Sequence, residues 1–361
     1  MRSTSSGATP YILAALGAAL LFGASTPFAK LLVGEIAPIL LAGLLYLGSG
    51  IGLWAMRIVR DRGLVAAELS RGEWAALAGA IASGGIAGPV LLMVGLTRTS
   101  AADASLLLNL EAVLTAAIAW VVFREHTERR MVLGMALIVG GGVVLAWPGE
   151  HAVPGGSALG ALAVAAACLC WAVDNNLTRR VATADATFVA ATKGLVAGIV
   201  NLGVALALGA RLPNLGAAAG AMTVGLIGYG ISLVLFVMAL RGLGSARTGA
   251  YFSTAPFLGA AIATWALHEP TSWGFWAAAA LMIAGVWLHL TERHEHAHTH
   301  EALAHTHAHR HDEHHRHVHE FPWDGREPHT HPHEHASLTH SHRHFPDIHH
   351  RHRHRHRSAA R

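Results

Sequence analysis

Asp174, Asn175 and Asn176 stand together inside an apolar run, and Lys193, one of only two lysines in the chain, stands in the next run. An Asp at the centre of a membrane helix costs about 3 kcal/mol on insertion scales, so such groups face a bundle interior or a wet cavity. Counted from the turn between the runs at 1.5 Å per residue, both charges lie about 10 Å deep. Antiparallel packing would pair them. That pair is either a structural neutralisation of two buried charges or part of a translocation path, one partner being released to bind a charged substrate or a proton. Asn175 and Asn176 are consecutive and cannot share a helix face, so one is expected at a cavity and the other as interhelical glue. Glu111, two residues after Asn109, occupies the middle of another apolar run with no basic residue obviously at its depth. It is the candidate proton-coupling group, with a neutral acid hydrogen-bonded to a neighbouring helix as the structural alternative. Tyr229 and Tyr251, with Ser232, Ser253 and Thr254, could hydrogen-bond either a substrate or adjacent helices.

A second chemistry fills the last seventy residues, where 24 of the 28 histidines fall between His294 and His356. The densest part runs His294, His296, His298, His300, His305, His307, His309, His311, His314, His315, His317 and His319. Neutral imidazoles at this density can bind Zn, Ni, Co or Cu. No cluster has the spacing of a folded zinc site, and a stretch with so few apolar residues is expected to be disordered. The tail is therefore read as a metal buffer or sensor, or simply as a solvated, pH-sensitive segment; no cofactor is required.

The elements that must carry these residues are membrane helices. The chain is 53% apolar and 13% charged, more apolar surface than a soluble domain of 361 residues can bury. Runs long enough to cross about 30 Å of hydrocarbon cover 11–33, 36–57, 73–96, 101–123, 130–147, 158–181, 186–209, 216–240, 246–267 and 272–290. That predicts an all-α membrane protein of ten transmembrane helices. Arg2, Arg57, Arg60, Arg62, Arg71, Arg124, Arg129, Arg130, Arg179, Arg180, Arg241 and Arg247 all lie on one side of this topology, against Arg98 and Arg211 on the other. The positive-inside rule then places both termini in the cytoplasm. Cys168 and Cys170, two apart on one helix, suggest no disulfide framework.

The stretch 101–145 is written again 144 residues later: Glu125 and Thr127 recur as Glu269 and Thr271, and Gly141 recurs as Gly285. Five helices precede the second copy, so it inserts upside down, giving two inverted five-helix repeats over 1–147 and 148–290 and a tail over 291–361. Inverted repeats suit alternating access to a site at the midplane. Glu125 and Glu269, at loop ends beside helix starts, are read as capping groups.

These residues resemble the EamA-type transporters of the drug/metabolite transporter superfamily. The resemblance rests on ten helices, the repeated apolar run followed by Glu, Thr and Gly, and Pro256 in the ninth helix, where the first copy has Ala112. Phe22-Gly23-Ala24-Ser25 also echoes Trp171-Ala172-Val173-Asp174. The resemblance implies a secondary transporter exporting a small polar metabolite from the plasma (bacterial inner) membrane. A divalent-metal permease fed or regulated by the tail, and a non-transporting membrane metal sensor, are the alternatives. The partners implied are the lipid bilayer, a small-molecule substrate and divalent metal ions, with a homodimer open and no nucleic acid. No G-x-x-x-x-G-K-[ST] pattern for nucleotide binding occurs, and no enzyme is expected, since no nucleophile and base stand at matched depth.

Overall fold

The computed structural model describes residues 9–63, 69–123, 129–147, 158–181, 185–290 and, in the tail, 295–300, 303–309, 329–335 and 338–343. The membrane unit contains α1 (Thr9–Val33), α2 (Pro38–Asp61), α3 (Arg71–Leu96), α4 (Ala101–Val122), α5 (Arg129–Ala146), α6 (Ala158–Val181), α7 (Ala186–Ala207) and α8 (Leu215–Leu240), each long and apolar enough to cross a membrane. α9 follows over residues 246–266 and α10 is Trp273–Leu290. We call the face where α1 begins and α10 ends the terminal face.

Polar caps hold the helix starts at both faces. Ser70 and Glu73 form a capping box at α3, and Ser100, Asp185 and Asn214 accept amide hydrogens at the starts of α4, α7 and α8. Each occupies one of the amides that a helix start leaves unpaired. Burial pushes the Asp185 carboxyl up, but the Arg60 guanidinium and the amides of Phe188 and Thr187 outweigh it and hold the group below the usual carboxylate range. The tryptophans Trp147, Trp265 and Trp273, at the ends of α5, α9 and α10 on the opposite face, are exposed, as an interfacial aromatic belt requires.

Helix contacts display the duplication directly. α2 packs on α7, α4 on α9 and α5 on α10, so each of these helices meets its own copy. Three further contacts come in twos: α1–α8 with α3–α6, α1–α9 with α4–α6, and α2–α8 with α3–α7. A two-fold relation between the halves produces that pattern. At the α5–α10 crossing it holds residue by residue. A Cβ at Gly141 would lie 3.0 Å from the Ala278 carbonyl oxygen and 2.8 Å from Met282 Cγ; one at Gly285 would lie 2.6 Å from the Gly134 oxygen and 2.7 Å from Ile138 Cγ1. These glycines let two backbones approach where no hydrophobic effect drives association, so that close packing holds the helices together.

Two interruptions were only half visible in the sequence. Pro256 marks a break in α9, where Ser253 and Thr254 leave the helix before Ala255. α4 breaks at the matching place, Leu108–Asn109, without a proline. There the Asn109 side-chain amide and its own backbone N–H both donate to the Leu106 carbonyl, at 2.8 and 3.1 Å. α8 and α9 are separated at Gly244, whose backbone leaves the helix with φ 79° and ψ 168°, between the two spans that hydropathy predicts. Matching π-helical segments occur in α3 (Ile81–Ala87) and α8 (Leu226–Ile231), and a third in α9 (Ile262–Ala266).

In the tail unit, β1 (Glu295–His300) pairs antiparallel with β4 (Leu338–Arg343), and β2 (Leu303–His309) with β3 (His329–His335). The described segments of the tail are strands. The physical reason is periodicity: histidine at every second position has the period of a strand, and a ladder draws on backbone hydrogen bonds rather than on an apolar core. His296, His298, His300, His305, His307 and His309 fall in these strands. His294, His311, His314, His315, His317 and His319 lie outside the described residues, as does Glu125.

The α5–α10 crossing sets a test of fold. Gly141→Val and Gly285→Val should each destabilise the membrane unit by about 1–3 kcal/mol, the usual range for overpacking. Gly140→Ala, where nothing lies within 4 Å of the new Cβ, should be near neutral. Thermal unfolding in detergent measures all three.

Candidate functional site

Between the repeats lies a cavity of about 570 Å³, lined from α1, α2, α3, α4, α6, α7, α8 and the start of α9. It reaches the terminal face at Val181 and Ala186, the ends of α6 and α7, and extends inward to Phe22, Thr26 and Leu92. Its polar groups are Glu111, Asp174, Asn175, Thr178, Lys193, Ser25, Ser49, Ser232, Tyr46 and Tyr229.

Asp174 and Lys193 meet as the equal depth predicts: the Lys193 ammonium donates to Asp174 Oδ2. Thr178, one turn further along α6, donates to Asp174 Oδ1 at 3.0 Å. The carboxylate is buried and fits only because α3 offers it Gly84; a Cβ there would lie 2.0 Å from Asp174 Oδ2. Gly84 lies in the π-helical segment of α3, which leaves its carbonyl available to side chains. Tyr46 Oη donates to that carbonyl at 3.0 Å and Trp171 Nε1 at 2.9 Å. The second half repeats the packing without the charge, since Gly228 lies against Ser25, a Cβ there meeting Ser25 Cβ at 2.6 Å. Ser232 donates to the Gly228 carbonyl.

Glu111 sits in the first turn of the helical stretch after the α4 break. Its Oε1 accepts from Asn175 Nδ2 at 2.8 Å, and the same amide reaches Thr115 Oγ1 at 3.3 Å. The two consecutive asparagines divide as their spacing requires. Asn175 faces the cavity; Asn176 is buried, donating to the carbonyls of Ala172 at 2.8 Å and Thr115 at 3.3 Å, so it joins α6 to α4. Tyr229 lines the cavity beside Tyr46, ring centroids 5.5 Å apart, and Phe22 at 6.1 Å. Tyr251 does not line it. It packs beside Ala14, Ala15 and Ala239, and its neighbour Phe252, one step further round the same helix, takes the cavity position. Ser253 and Thr254 donate to the carbonyls of Ala250 and Tyr251, closing the break locally.

Tyr46, Trp171, Thr178 and the glycine cradle were missed in the sequence. Trp171 and Thr178 flank Asp174 on one helix, at i−3 and i+4, and that spacing is the signal that could have found them. Gly84 carried only its small-xxx-small spacing with Gly88, a signal of close helix approach; its place against Asp174 depends on what α6 brings to it.

The described lining stops at Thr26 and Leu92, short of the opposite face. Lys30 Nζ donates to the carbonyls of Leu96 at 2.5 Å and Thr99 at 2.8 Å, at the end of α3. The Glu269 carboxylate accepts from the amides of Ala101 at 3.0 Å and Ala102 at 2.8 Å, at the start of α4. Glu269 is thus a capping group, as expected, but it caps a helix of the other repeat. Each charge meets the helix end of opposite partial charge, and together they pin the α3–α4 turn to α1 and α9.

A duplicated helical bundle with a polar cavity between its halves defines a class, the polytopic membrane transporters. The model of the EamA-like transporter family matches residues 9–147 and again 158–291; the chain belongs to that family. A protein described as an uncharacterized transporter of Methanothermobacter thermautotrophicus is 28% identical over 286 residues, 75% of this chain and 83% of that one. A crystal structure of a protein 21% identical superposes with a TM-score of 0.58 and covers 80% of this chain and 96% of its own, a likeness of fold.

The cradle predicts that Gly84→Ala displaces Asp174 from Lys193. Substrate transport should fall about as far as in Asp174→Asn, and the double variant should be no worse than either single one. Initial rates in vesicles, normalised to protein content, measure the coupling.

Proposed function

We propose that the chain is a secondary active transporter that exports a small polar metabolite by alternating access. The observation that carries the reading is an asymmetry within a symmetric scaffold: the cavity reaches the terminal face, while Lys30 and Glu269 tie the opposite end shut. On the arginine distribution the terminal face is the cytoplasmic one, and an exporter would load its substrate in this state. Asp174, Lys193, Glu111 and Asn175 supply charge and hydrogen bonds along the path, and Glu111 is the proton carrier, placed where it can exchange its bond to Asn175 for one to substrate.

Exchange of conformation between the halves moves the closure to the other face. By the repeat, Arg179 is the counterpart of Lys30, and the α8–α9 turn at Gly244 is the counterpart of the α3–α4 turn at Ser100. In the outward-facing state Arg179 takes carbonyls at the end of α8, as Lys30 takes those of α3. Among the described residues the cavity lining includes neither histidine nor cysteine, the ligands that soft divalent ions select, so the lining lends a metal permease no support.

The direct experiment is uptake and efflux in vesicles, with and without residues 291–361, screened against amino acids, other polar metabolites and divalent metals. Metabolite efflux that survives loss of the tail and disappears in Asp174→Asn with Lys193→Met is expected. Metal flux without the tail overturns the reading, and full indifference to the intramembrane charges turns it toward a sensor. The closure has its own check: in a Cys168→Ala, Cys170→Ala background, Lys30→Met should raise labelling of Thr26→Cys from the opposite face several-fold.

A further inference from the structure

The tail strands bring histidines into register. His296 stands opposite His342 and His298 opposite His340 in the β1–β4 ladder. In the β2–β3 ladder His305 stands opposite His333, His307 opposite His331 and His309 opposite His329. Directly opposed positions of an antiparallel pair have Cβ atoms about 4.5–5.5 Å apart, and positions i and i+2 share a face. By register, two successive histidine pairs therefore share one face of a ladder, and four histidines match the number of donors that a tetrahedral divalent ion takes. The intervening positions pair Ala297 with Ser341, Thr306 with Pro332 and Ala308 with Thr330, none of them a strong ligand.

Energetics point the same way. An isolated two-stranded ladder is marginal in water, and neither ladder has an apolar sequence from which to build a core. A ligand bound by both strands stabilises the paired state over the unpaired one, so metal binding and strand pairing are linked. The ladders are also nested in sequence, since β2 and β3 lie between β1 and β4. Closing the inner ladder shortens the loop that the outer one must close, so the first ion should favour the second.

We propose that each ladder is a metal-binding module for a nitrogen-preferring divalent cation, Zn, Ni, Co or Cu, built from cross-strand histidine pairs. The outer module uses His296, His298, His340 and His342. This assignment stands or falls independently of what the membrane unit transports.

The test uses the full chain in lipid nanodiscs and zinc alone as probe. Affinity is read by competition with a chromophoric chelator, and the number of nitrogen ligands by X-ray absorption. His296→Ala/His298→Ala on β1 and His340→Ala/His342→Ala on β4 should each weaken the same site at least tenfold, and the fourfold variant should be no weaker than either. A tail of identical composition in scrambled order should lose the tight sites. Losses that simply add, or a scrambled tail that binds as tightly, overturn the proposal and return the tail to an unstructured collection of imidazoles.

Discussion

Hydrocarbon offers no hydrogen bonds, and the membrane unit is organised around that fact. A backbone or side-chain polar group left unpaired there costs several kcal/mol, so every departure from regular helix has to bring its own partner. The breaks in α4 and α9 do so with Asn109, Ser253 and Thr254, which bond to carbonyls three residues back. The π-helical segments of α3 and α8 do so with side chains from other helices and from the next turn, Tyr46 and Trp171 on Gly84, Ser232 on Gly228. Irregular backbone is tolerated where it packs against other helices or lines a cavity rather than lipid. The same rule makes Asp174 and Lys193 partners, since either alone would be an uncompensated buried charge.

Symmetry and chemistry divide the structure between them. The α5–α10 crossing is the same contact made twice, Gly141 on Ala278 and Met282, Gly285 on Gly134 and Ile138. Here the copies are most alike in sequence, and here they serve only as scaffold. The copies differ at the cavity. Asp174 against Gly84 and Ser25 against Gly228 are the same packing with and without a charge, and Glu111 has no acidic counterpart at Ala255. A two-fold scaffold thus holds a one-sided site, and the closure at the opposite face by Lys30 and Glu269 is one-sided in the same sense.

Much of this was legible from residue order. The ten spans, the inversion of the second copy and the depth match of Asp174 with Lys193 follow from hydropathy, an odd number of helices and a rise of 1.5 Å per residue. Neighbouring asparagines had to split between cavity and helix contact because consecutive residues point 100° apart. The failures were failures of phase and of partner. Tyr251 was placed one residue away from the cavity position because an apolar run does not by itself say which of two consecutive residues faces the bundle interior. Glu269 was recognised as a cap, but the helix it caps lies in the other repeat, 168 residues away.

The sequence by itself determined the membrane class, the inverted duplication and the buried charges, because these depend on composition and on spacing along one chain. It also determined the alternation of histidines in the tail, though not the pairing of its strands. Which glycine makes room for Asp174, which carbonyls Lys30 caps and which face the cavity reaches were decided by tertiary structure alone. Each depends on groups that different helices bring within a few ångströms of one another, and no local pattern encodes that meeting.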